Sequence, residues 1–183
     1  MFIGLTGTFA SGKGEIASYL KKNHSFSYFS LSDELRSFMH QQGIPLSREN
    51  MQKYGRQLRQ KEGRAALAER ILPKLTSLHH AVIDSIRLPE EAEALRKNLK
   101  PFYLISVDAP ITLRFERAKL RKRIDDNLTL PEFAHLESLE MEGDDLNIKA
   151  VMDKADFRVI NDHKLAELHK QVRLILAAAG KDK

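Results

Sequence analysis

The chain has 183 residues, 42% of them hydrophobic, and a formal net charge of +5. That length and composition suit a single domain spanning 1–183 with one sizeable core. The absence of cysteine excludes disulfides, thiolate metal sites and thiol nucleophiles, and no apolar run approaches the roughly 20 residues that span a bilayer.

The chain opens on an apolar, strand-like segment with no basic leader, from which a cytoplasmic location is expected. A nucleic-acid surface would interleave Lys and Arg with aromatics, whereas this chain has no Trp and its aromatics sit mostly in apolar runs. The cations are therefore expected to converge on a small polyanion, with neither a nucleic acid nor a membrane as partner. The sequence carries no signal for oligomeric state.

In chain order, strands are predicted over 2–6, 27–31, 81–84, 102–107 and 157–160. Each is a short apolar or β-branched run bounded by turn or helix-start signals. Helices are predicted between and after them, over 12–22, 32–42, 47–76, 89–98, 111–123, 131–142, 148–153 and 163–179. Such alternation predicts an α/β domain with a five-stranded parallel sheet between layers of helices and a ligand edge at the strand C-termini. The acidic stretch 124–147 reads as a mobile cover rather than as core.

The first strand runs into Gly7-Thr8-Phe9-Ala10-Ser11-Gly12-Lys13, followed by helix. Strand, spacing, lysine and helix together predict a phosphate loop. Glycines let the backbone curl so that its N–H groups face phosphate oxygens, the helix N-terminus adds its dipole, and Lys13 supplies a compact positive charge. The loop departs from the usual pattern after the lysine. Gly14 and Glu15 stand there, so the hydroxyl that ordinarily meets Mg²⁺ is missing.

Further along, Asp84 ends a buried strand. It suits either a strand-end cap or a carboxylate that holds Mg²⁺ through water. Arg114, Arg117 and Arg121 fall inside roughly a 60° arc at about 100° per residue. Leu113, Leu120 and Ile124 form an adjoining apolar stripe expected to hold that helix on the body. Only Arg121 has an acidic partner four residues on, Asp125, so the cluster reads either as an anion site or as a solvated face. Arg59, within the polar 47–74 stretch, is an acceptor contact or another solvated cation. The seven histidines form no metal-ligand pattern.

These motifs, in this order, resemble the nucleoside monophosphate kinases and dephospho-CoA kinases. They are more closely similar to the phosphate-loop domain fused to some deoxycytidylate deaminases and to archaeal dephospho-CoA-kinase-like proteins. The resemblance rests on Gly4 to Thr8, Ala10 to Gly14, Ser32 to Arg36, Arg48-Glu49-Asn50, Leu58-Arg59, Val82 to Arg87, Val107 to Pro110 and Ala155-Asp156. It implies a P-loop NTPase three-layer fold, ATP as phosphoryl donor with Mg²⁺, and a small nucleotide as acceptor. Residues 7–15, with Arg117 and Arg121 from a lid over about 114–147, would bind ATP, and an insert over about 32–77 would bind the acceptor. Arg36, Arg87 and Arg59 would hold the acceptor. Asp33 would serve as acceptor contact or base, or simply cap its helix. A (deoxy)nucleoside monophosphate is the first acceptor implied, dephospho-CoA the second. A nucleotide-binding regulatory module with little turnover is the third reading. The zinc-binding cysteines of a deaminase are absent.

Overall fold

The computed structural model describes residues 1–120 and 128–180. Five parallel strands form one sheet in the order β2-β3-β1-β4-β5: β1 Phe2–Gly7, β2 Ser27–Ser30, β3 Ala81–Asp84, β4 Phe102–Asp108 and β5 Phe157–Ile160. Strand β1 lies at the centre and is buried along its whole length, which is why it carries no charged residue and no apolar–polar alternation. The period of two still divides its side chains between faces. Phe2 packs with Ala81, Ile83 and Phe102 on one side; Ile3 and Leu5 pack with Val82, Ile105 and Val107 on the other.

Helices cover both layers. The first is closed by α2 Leu31–Gln41, α3 Arg48–Glu62, α4 Ala66–Leu75, α5 Pro89–Asn98 and α8 Ile148–Asp153. The second is closed by α1 Lys13–His24 and α9 Leu165–Gly180. Two more helices, α6 Ile111–Leu120 and α7 Leu130–Met141, pack on each other beside the strand ends. Among the described residues no helix is long and apolar enough to cross a membrane.

Three local outcomes differ from expectation. The single helix expected over 47–76 is two, because Gly63 at φ 97° ends α3 in a conformation that side chains resist. Helix α2 is capped by Ser30, whose hydroxyl accepts from Asp33 N at 3.3 Å, so the Asp33 carboxylate is not the cap. The stretch expected to be a polar cover contributes buried side chains instead. Phe133, Glu137 and Glu140 of α7 are each 7% exposed or less. Helix α7 starts on a capping box in which Thr129 and Glu132 satisfy each other's backbone N–H.

Candidate active site

Strand register brings the site together. Gly7 lies opposite Val107, Ser30 opposite Asp84, and Asp108 opposite Ile160. The C-terminal ends of all five strands therefore face one edge, and each delivers a polar group there.

The turn out of β1 is closed by sterics. Gly7 has φ 131°, and a Cβ there would meet Val107 O at 2.0 Å. Gly12 has φ 108°, and a Cβ would meet Asn161 Nδ2 at 2.2 Å. Neither position tolerates a side chain. Lys13 opens α1 and folds back across the loop, with Nζ donating to Gly7 O at 2.8 Å and Thr8 O at 2.7 Å.

Neighbouring elements hold the loop at three points. Thr8 Oγ1 donates to Asp108 Oδ1 at 2.6 Å. Asn161 Nδ2 donates to Ser11 O at 2.8 Å. Phe9 N donates to Glu137 Oε1 at 2.8 Å, and Arg114 Nη1 donates to Phe9 O and to that same carboxylate oxygen. The Ser11 hydroxyl is buried without a hydrogen bond.

The basic helix is partly corrected. Arg114 is 5% exposed and is neutralised by Glu137 and by Asp108 at 3.6 Å. Its partners come from other elements, Glu137 from α7 and Asp108 from β4, and not from its own helix. Arg117 reaches Asn161 Oδ1 at 3.5 Å with Nη2, while its Nη1 is buried without a hydrogen bond. Burial lowers its pKa from the ordinary value. Leu120 is 83% exposed, so that member of the expected apolar stripe does not hold this helix on the body. Phe115 does, packed on Phe133 with ring centroids 5.7 Å apart. Arg121, Ile124 and Asp125 lie outside the described residues.

On the other side of the loop opens a cleft of about 880 Å³. Lys13, Asp33, Arg36, Arg59, Asp84 and Arg87 all line it, beside Phe9, Ala10, Gly12 and Gly14 of the loop. Six expected residues from four separate places in the sequence thus meet. Arg117 is not among them and stands on the β4–β5 side. Each arginine expected to hold the acceptor has a carboxylate partner. Arg36 Nη1 is 2.6 Å from Asp33 Oδ1, and both side chains are exposed. Arg59 is 8% exposed and grips Asp145 with two bonds of 3.1 and 2.6 Å. Arg87 Nη1 is 3.0 Å from Glu140 Oε2. Beneath them Glu91, 2% exposed, accepts from Arg87 N at 2.8 Å and Leu88 N at 3.1 Å. Burial pushes its carboxyl up to about 7.

Asp84 is 9% exposed and accepts from Ser85 N at 2.6 Å. Ser85, at φ 67°, turns its hydroxyl to 3.4 Å from that of Ser30. One carboxylate and two hydroxyls are hard oxygen donors, and such a set fits Mg²⁺ held mainly by phosphate and water. No group of three His, Cys, Asp or Glu suited to a protein-only metal cage occurs among the described residues. Glu15, two residues after the lysine, lies 3.2 Å from His169 Nε2 on α9. His169 is in turn stacked on Tyr19 at 4.1 Å.

Asp108, Glu137, Glu140, Asp145 and Asn161 escaped the sequence analysis as site residues, as did Ser30, Ser85 and Glu91. Asp108 and Asn161 could have been found by asking what ends β4 and follows β5, as was done for Asp84. The three carboxylates of 137–145 carry no local signal, because their partners are far along the chain.

A glycine-turned strand-to-helix loop with its lysine, at the C-terminal edge of a five-stranded parallel sheet, defines a P-loop kinase-like α/β domain. A shikimate kinase from Bacteroides thetaiotaomicron has this fold, with a TM-score of 0.66 over 98% of both chains at 13% identity. The model of the AAA domain family matches residues 3–143. A UPF0200 protein of Pyrococcus abyssi is 30% identical over 182 residues, 96% of this chain and 95% of its own. A UPF0200/UPF0201 protein of Archaeoglobus fulgidus is 34% identical over 157 residues, 83% of this chain but 48% of that relative, so the chain spans about half its length. The chain belongs to the AAA domain family and to the UPF0200 family.

Proposed function

We propose that this protein transfers a phosphoryl group from ATP to a small nucleotide acceptor, with a (deoxy)nucleoside monophosphate as the preferred class. One observation carries the reading: Arg36, Arg48, Arg59 and Arg87 line a single cleft that opens directly onto the phosphate loop. Guanidinium forks match phosphate oxygens in geometry and charge, and the loop supplies the place for the donor.

In this reading Lys13 leaves the Gly7 and Thr8 carbonyls for the β- and γ-phosphates. Loop amides and the α1 N-terminus cradle the same oxygens. Arg117, oriented by Asn161, compensates charge from the β4–β5 side, and Arg121 is assigned with it. Arg36 and Arg87 take the acceptor phosphate. Asp84, through water, with the Ser30 and Ser85 hydroxyls would hold Mg²⁺, which when bound supplies further charge neutralisation at the phosphates. No covalent intermediate is needed, because positioning and charge compensation supply most of the catalysis in such transfers.

A second reading follows from Asp33. Its carboxylate lines the cleft and is half-exposed, and a carboxylate there suits a hydroxyl acceptor that gives up a proton, as in dephospho-CoA kinase. A panel of the common monophosphates and dephospho-CoA, each with MgATP, tests both readings. Turnover of a monophosphate supports the first; turnover of dephospho-CoA alone replaces it with the second.

A further inference from the structure

Two carboxylates of the 137–145 stretch meet cleft arginines, and they do so differently. Asp145 holds Arg59 fork to fork, and Arg64 Nη1 donates to the neighbouring Asp144 carbonyl at 3.2 Å. That pair is a directional fixture of the wall. Glu140, at the last turn of α7, sits between two guanidiniums instead. Arg87 Nη1 is 3.0 Å from Oε2, and Arg48 Nη2 is 3.9 Å from Oε1. The side chain is nine-tenths buried, yet Oε2 has no aligned hydrogen bond despite the short contact. Glu140 is thus held by charge and not by direction.

Two guanidiniums brought together in a half-enclosed cleft repel each other and lose hydration. Glu140 brings one negative charge to Arg87 at 3.0 Å and to Arg48 at 3.9 Å, which offsets part of both effects. A phosphate monoester brings nearly two charges and three acceptor oxygens to the same place. It therefore competes where a neutral or singly charged group does not. We propose that Glu140 is the specificity-determining residue of the acceptor cleft: an internal anion that keeps the Arg87–Arg48 seat and yields it to the dianionic phosphate of the acceptor. This rests on the phosphoryl-transfer reading above for the acceptor's identity, but not for the seat itself.

The test is calorimetric titration of the full chain, with the phosphate loop first saturated by a non-hydrolysable ATP analogue. Inorganic phosphate and the monophosphates AMP, CMP and dCMP are the probes, against wild type, Glu140→Gln and Glu140→Asp. Removing the competing charge in Glu140→Gln should tighten phosphate binding by about tenfold, a modest share of the coupling between charges at this range. Glu140→Asp keeps the charge and should gain much less. A gain for phosphate and for one monophosphate supports both the seat and the acceptor class. A gain for phosphate alone supports the seat and rejects the monophosphate reading. Unchanged or weaker phosphate binding in Glu140→Gln, or an equal gain in Glu140→Asp, overturns the proposal.

Discussion

Glu91 shows how a single side chain ties the cleft to the stability of the fold. Its carboxylate closes the α5 N-terminus and fixes the backbone of Arg87, but burial lifts it from 4.5 to about 7. The folded chain thus holds a proton that the unfolded chain releases. Stability from this group is present below the unfolded pKa and is lost as pH rises from about 4.5 to about 7, by at most about 3 kcal/mol. Glu91→Gln should remove that slope. Thermal melts of both proteins at pH 5 and pH 8 should show the wild type losing ground to the variant as pH rises; parallel melts would show that Glu91 does not titrate in this range. Arg87, on the same backbone, is the sharpest probe of the acceptor. Arg87→Ala should weaken acceptor binding by about 10- to 150-fold, the worth of a charge-assisted contact, with a much smaller effect on ATP. Equal loss for both ligands in a titration would show that Arg87 is not an acceptor clamp.

At the scale of elements, the strands were legible and the pairings were not. All five expected strands match within one residue at each end, because each is a short β-branched or apolar run bounded by its own turn signals. The phosphate loop was legible for the same reason: its residues are contiguous. The carboxylates of α7 and the loop behind it read as a solvated acidic cover because nothing nearby in sequence pairs with them. Their partners, Arg114, Arg87 and Arg59, lie between 23 and 86 residues away and are set by packing alone. Helix α7 consequently acts as a brace that joins the phosphate loop to α6. Glu137→Ala would take its nearest carboxylate from the buried Arg114 guanidinium and leave it Asp108 at 3.6 Å and two backbone carbonyls, which should cost about 2 kcal/mol in a denaturant titration. Replacing both partners with apolar residues of similar size should recover most of that loss. If Glu137→Ala changes stability by less than about 1 kcal/mol, within the range of a surface pair, the brace is not structural.

For the molecule as a whole, parallel strand order does the gathering. With β1 between β3 and β4, the strand ends place Gly7, Asp84 and Asp108 side by side, with Asn161 beyond β5 and Ser30 beyond β3. The sequence placed the phosphate loop, Asp33, Arg36, Asp84 and Arg87 on this edge because each follows a strand. The division of labour among the arginines came from the family resemblance alone, since arginines look alike in sequence; in the fold Arg87 lines the cleft and Arg117 reaches Asn161 beyond β5. Binding at the loop should also stabilise the whole domain. A non-hydrolysable ATP analogue at 100 times its Kd should add about 2.7 kcal/mol, read as a raised Tm that Lys13→Ala abolishes. The variant's own fold should persist, because Lys13 Nζ donates to the Gly7 and Thr8 carbonyls at the loop.

The most direct test follows the phosphoryl group itself. γ-Labelled ATP with Mg²⁺ is incubated with each common (deoxy)nucleoside monophosphate and with wild-type protein or Lys13→Ala side by side. Label should pass to one monophosphate or a related few with the wild type and to none with the variant. Transfer at the same rate by Lys13→Ala, or no labelled acceptor from any member of the panel, would contradict it.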